Sequence, residues 1–174
     1  FYHVMEIFVF ERSGTLGPSA AKRNLQEFVN FCKKEKRNGK PLIKDLMVRK
    51  KLAQMAVENE VRWLIGWHAQ WWFGQREKLG PKPYDLSGFF QKQLTTRHAD
   101  SMMSILGHYG QLRCGSKYVK YDGRIERGWQ VARSLHAGGT FEVNKIVLAG
   151  RGLGLPRIPA KFNTQINDAL REVK

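Results

Sequence analysis

The feature that most constrains this chain is one long amphipathic stretch, residues 43–77, which Gly80-Pro81-Lys82-Pro83 breaks. Leu52, Ala56, Trp63, Trp67 and Trp71 recur on one face, and Ala53, Val57, Leu64 and Ile65 widen it. So broad an apolar arc predicts an inner helix packed on several sides, with the three tryptophans as bundle core rather than the lining of a ligand pocket. Helical spacing also covers residues 1–12, through Phe1, Val4, Met5, Phe8 and Val9. It returns from Ser19, the expected N-cap, to about Lys36, with Leu25, Phe28, Val29, Phe31 and Cys32 as the buried stripe. Arg37-Asn38-Gly39-Lys40-Pro41 is a turn by composition. A fourth helix is predicted over 87–106, a glycine-rich loop over 107–128, a short segment over 129–135, and a helix over 141–150 capped by Thr140. No strand alternation persists and no internal repeat is present. The fold class is all-α, an antiparallel up-and-down bundle of about four main helices.

With 174 residues, 42% of them hydrophobic, the chain suits one folded domain rather than a disordered tail. Two cysteines, Cys32 and Cys114, form no CxxC pairing, which excludes a disulfide scaffold or a zinc ribbon. Unpaired thiols fit a reducing compartment, with the cytoplasm favoured. The five histidines make no i,i+4 metal pair. A Walker loop is absent, and Gly150-Arg151-Gly152-Leu153-Gly154 follows a helix and reads as its C-terminus. No uncharged run is long enough to span a bilayer, and Phe1-Tyr2-His3-Val4 is not a signal peptide but begins inside a helical pattern. The chain reads as a piece of something longer. Its net charge of +15 would suit nucleic acid, but the basic residues are spread over most helices and no DNA- or RNA-binding module is recognisable. Nucleic acid is therefore not expected as the partner.

Two stretches carry a family pattern. One is Ala137-Gly138-Gly139-Thr140-Phe141-Glu142-Val143, continuing to Gly152-Leu153-Gly154-Leu155-Pro156-Arg157; the other is His3 through Glu11-Arg12. The middle adds Asn38-Gly39-Lys40-Pro41-Leu42 and Glu58-Asn59-Glu60-Val61-Arg62. Together they resemble the C-terminal helical-bundle domain of acyl-CoA dehydrogenases over residues 1–157, leaving 158–174 as a basic tail. The resemblance implies an FAD-dependent oxidoreductase that converts an acyl-CoA thioester to the enoyl-CoA. It implies a homo- or hetero-oligomer, with this domain giving one wall of the flavin and substrate site. Gly138, Gly139, Thr140, Phe141 and Glu142 fall at positions that contact FAD in the family, Phe141 through its backbone. A helix start there would favour an anionic group.

Most of the family places a catalytic glutamate directly before Gly-Thr, where this chain has Gly138. A minority carries it in a Glu-Arg pair on the first helix of the domain. Glu11-Arg12 matches that pair, so the resemblance implies Glu11 as base and Arg12 beside the thioester. Three departures from the family pattern stand out: Glu35 takes the place of the arginine that reaches a neighbouring subunit's FAD, with Lys34 or Lys36 as substitute point charges, Leu46 takes that of a glutamine, and Ser104-Ile105-Leu106-Gly107-His108 that of the Gln-x-x-Gly-Gly segment. The alternative to an enzyme is a non-catalytic partner subunit or a basic helical interaction module.

Overall fold

The computed structural model describes residues 7, 18–79, 84–134 and 139–156. It shows the all-α bundle that the periodicity predicts. Helix α1 spans Pro18–Lys34, α2 Leu46–Gly74, α3 Arg76–Leu79, α4 Tyr84–Leu106, α5 Arg124–Arg133 and α6 Phe141–Val147. Between α1 and α2 lies a minimal antiparallel ladder, Lys36–Arg37 (β1) against Lys40–Pro41 (β2). Asn38 (φ 52°) and Gly39 (φ 77°) make the left-handed pair that closes such a two-residue hairpin.

Pro18 opens α1, in keeping with proline's preset φ and missing N–H, so Ser19 lies inside the first turn rather than capping it. Asp45 caps α2: its Oδ1 accepts from the N–H of Met47 at 2.8 Å and of Val48 at 3.3 Å. The expected loop over 107–128 is shorter than its glycines suggest. Tyr121, Asp122 and Gly123 all take left-handed φ, and α5 starts directly after them, with Gly128 inside the helix. A Cβ on Gly123 would lie 2.5 Å from the Cys114 nitrogen, so only glycine lets the loop pass this close.

Helix α1 packs on α2, α2 on α4, and α4 on α5 and α6. Their shared core joins Leu25, Phe28 and Cys32 of α1 to Leu52 and Met55 of α2, Ile105 of α4 and Ile125 of α5. Tyr121 closes one end, its ring 5.6 Å from Phe28 and 4.9 Å from Phe31.

The tryptophan face of the long helix departs from expectation. Trp67 and Trp71 are exposed, as is Ala56, and only Leu52 of that stripe reaches the core; Trp63 is half-buried. The stripe slants across the helix, so its N-terminal end points inward and its C-terminal end outward. What α2 buries instead is Val48, Leu52, Met55, Glu58, Asn59, Arg62, Gly66 and Ala69.

Candidate functional site

The segment entering α6 is held in place by side chains from two helices. Thr140 caps the helix as predicted, its Oγ1 accepting from the Val143 N–H at 3.3 Å while its carbonyl accepts from the Asn144 N–H at 3.0 Å. The Phe141 and Glu142 N–H groups lie in the first turn, where a helix offers no acceptor of its own. Just before the cap, Gly139 takes φ +94°. Its carbonyl accepts from Lys92 Nζ of α4 and from Asn144 Nδ2 at 3.2 Å. Asn144 is 2% exposed, so this amide is a buried pin on the turn. Phe141 stacks on Phe89 of α4, ring centroids 4.5 Å apart, with Lys145 Nζ 4.5 Å from its own centroid. Its ring is thus used in packing, and only its backbone is left for a ligand.

A cleft of about 560 Å³ opens beside this turn, lined by Lys92, Arg97, Asp100, Arg133, Thr140 and Glu142 among others. Its cations are largely engaged. Arg97 pairs with Glu58 at 2.9 Å, and Arg133 pairs with Asp100 at 2.5 Å, where Trp129 Nε1 also donates at 2.8 Å. With Glu58 answering Arg97, the three lysine or arginine groups meet three carboxylates there. Lys92, Phe89 and Asn144 were not singled out from the sequence. Asn144 alone carried a signal, being the polar residue at an inward position, three after Phe141.

Gly138, Glu11 and Arg12, the remaining expected site residues, lie outside the described residues.

At the departures from the family pattern, Glu35 and Ser104 are engaged within the chain, whereas Leu46 is open. Glu35 pairs with Lys120 at 2.9 Å, and that carboxylate pulls the Lys120 pKa upward. Arg37 donates to the Ile105 carbonyl, and Lys51 to the Ser104 hydroxyl. Leu46 is 75% exposed. A carboxylate at Glu35 disfavours a pyrophosphate at this edge. No group of His, Cys, Asp and Glu able to hold a metal occurs among the described residues.

The family model described as acyl-CoA dehydrogenase, C-terminal domain, matches residues 1–153. The chain belongs to the acyl-CoA dehydrogenase family. Among solved structures it is similar to the ChsE4-ChsE5 complex from Mycobacterium tuberculosis, at 28% identity and TM-score 0.69, covering 83% of this chain and 37% of that one. It shares its fold with the Tcur3481-Tcur3483 steroid ACAD G363A variant (22% identity, TM-score 0.74, 89% of this chain and 40% of that one). It does so too with the glutaryl-coenzyme A dehydrogenase glutaryl-CoA complex (21% identity, TM-score 0.63, 86% and 38%). The chain therefore spans well under half the length of these relatives. No curated protein sequence matches it. Among the described residues, no helix is long and apolar enough to cross a membrane.

Proposed function

We propose that this chain forms one wall of the flavin and acyl-CoA site in an FAD-dependent acyl-CoA dehydrogenase-like oxidoreductase. The observation that carries the reading is the pinned turn at Gly139–Glu142. Its carbonyl is tied to Lys92 and Asn144, and its Phe141 ring is locked on Phe89. That leaves the Phe141 and Glu142 N–H groups without intrahelical acceptors at a helix start, on a turn that the chain's own side chains hold. Thr140, Phe141 and Glu142 would hold an anionic part of FAD there, with Gly138 and Gly139 keeping side chains away.

Bound FAD would supply the hydride acceptor. The chain's own chemistry is proton removal: Glu11 takes the α-proton of the thioester as hydride leaves the β-carbon, and Arg12 orients the thioester end. This pair is assigned from its sequence pattern. The acyl group is open, since the relatives include a steroid ACAD and a glutaryl-CoA complex.

The Glu35–Lys120 ion pair favours a second reading, a partner subunit in a mixed oligomer. There the chain would complete no flavin site in its neighbour. The visible spectrum of the full-length natural protein, purified without added cofactor, tests both readings. Flavin bands bleached by an acyl-CoA, with bleaching lost and bands kept in Glu11→Gln, are the result expected of the enzyme. Bleaching that survives Glu11→Gln removes that base, and a colourless protein that stays so with added FAD removes the flavin site. One flavin per two chains in a complex of two different subunits would support the partner reading.

A further inference from the structure

A cavity of about 360 Å³ lies between α1, α2, α4 and α5. Its floor is Leu25 of α1, Arg62 of α2, His98 of α4 and Ile125 of α5, all buried, and its mouth is Asn24, Arg124 and Gly128, which are exposed. On α4 the lining residues Thr95, His98, Ala99 and Met102 fall at helical spacing on one face. The cleft beside the Gly139 turn uses Lys92, Thr96, Arg97 and Asp100 instead. The two therefore open on different faces of one helix.

The polar groups of the floor decide what the cavity can hold. His98 Nε2 is committed to Glu58 at 2.8 Å, and Glu58 is shared further with Gln54 and Arg97. The Thr95 hydroxyl donates to the Gln91 carbonyl at 2.9 Å. Arg62 differs from both. It is 8% exposed, it keeps its charge at neutral pH, and its guanidinium carries five N–H donors, more than a single contact uses. Burial draws its pKa downward, as for a cation taken out of water. No Asp or Glu is among the described residues that line the cavity. At the mouth, Arg124 is held by Glu27 at 2.8 Å and laid on the Tyr121 ring.

The floor thus offers a positive charge in a fork that matches a planar carboxylate. The walls above it are apolar, with Ala20, Ala21 and Leu25 on one side and Ala99, Met102 and Ile125 on the other. Such walls favour a hydrocarbon body over a bare inorganic anion. The volume lies at the low end of small-molecule pockets, which admits a short organic acid and excludes a whole acyl-CoA or flavin nucleotide.

We propose that this cavity binds a small organic monocarboxylate, with its carboxylate on Arg62 and its hydrocarbon body against the alanine, methionine and isoleucine walls. The site uses neither flavin nor Glu11, so its failure and that of the enzyme reading are distinguishable.

The test is calorimetric titration of hexanoate into the full-length natural protein, with 1-hexanol as the uncharged control. Hexanoate should bind with a dissociation constant below about 1 mM, and hexanol at least tenfold more weakly. Arg62→Met should weaken hexanoate at least tenfold. Ala20→Phe fills the cavity from a half-buried wall position and leaves the guanidinium in place, and it should do the same while circular dichroism shows unchanged helix. It carries the test if Arg62→Met does not fold. Absence of hexanoate binding, or hexanol binding as tightly, would overturn the assignment. So would hexanoate binding that Ala20→Phe leaves intact, since that belongs to another site, the acyl site included.

Discussion

The two sides of α2 are sorted by polarity far less sharply than those of most bundle helices, although Val48, Leu52, Met55 and Ala69 are buried as an inner face requires. The inner side is charged at its middle. Glu58, 6% exposed, accepts from Gln54 at 2.8 Å, lies 2.8 Å from His98 Nε2 and pairs with Arg97 at 2.9 Å, with Asn59 and Arg62 buried alongside. The outer side carries leucine and tryptophan in the open. Burial on this helix does not follow apolarity alone: Glu58 is buried with its partners, while Asn59 Oδ1 is buried with no hydrogen-bond partner. A paired carboxylate can sit inside because histidine, arginine and amide meet it, and its geometry fixes how α2 and α4 register.

The comparison breaks most readily at Glu58. Glu58→Ala leaves the buried His98 ring without its hydrogen-bond partner, while half-exposed Arg97 turns to water, and unfolding in urea should show a loss of about 3 kcal/mol. A loss below about 1 kcal/mol would mean that the inner side is held by its apolar residues alone. Next comes a matched pair of truncations. Met55→Ala, at a site only 1% exposed, should cost about 3 kcal/mol. Leu64→Ala, measured where the chain is not associated, should stay within about 0.5 kcal/mol. Equal losses would erase the distinction between the faces.

The smallest effect is a pH slope. Burial pushes the His98 pKa below the ordinary 6.5, against the upward pull of Glu58, with Arg62 and Arg97 adding to the depression. Below about pH 6.5 the unfolded imidazole therefore binds more protons than the folded one, so its contribution falls as the pH drops toward the folded value. Urea midpoints between pH 7.5 and 5.5 should fall less steeply in His98→Gln than in the natural chain. Identical slopes would show that His98 is not titrating differently in the two states.

Much of this architecture was legible from local chemistry. Asn38-Gly39 marks its hairpin, Thr140 its cap, and Leu25, Phe28 and Cys32 their core stripe, because each reports a short-range requirement of the backbone or of one helix face. Helix α5 was hidden because Gly123 and Gly128 look alike in sequence. Gly123 makes a left-handed turn against Cys114, whereas Gly128 sits within the helix. The faces of α2 were misassigned because apolar residues ring much of the helix, and contacts distant in sequence, such as Met55 with the α1 core and Glu58 with His98, 40 residues away, decide which side is inside. In the site, the pin by Lys92 and Asn144 joins α4 to a turn 47 residues on, a link no local pattern carries. The Glu35 departure was visible, but its engagement by Lys120 was not.

The Phe28–Phe31–Tyr121 cluster also has a redox consequence. Cys32 belongs to the same core with no exposure, and burial raises its thiol pKa to about 11, which keeps it a thiol at neutral pH. Cys114 is open to solvent on the loop that Gly123 holds. An oxidant or electrophile therefore marks the loop long before it touches the core. The chain's exposure to such reagents is recorded at one sulfur, while the other reports only whether the bundle has come apart.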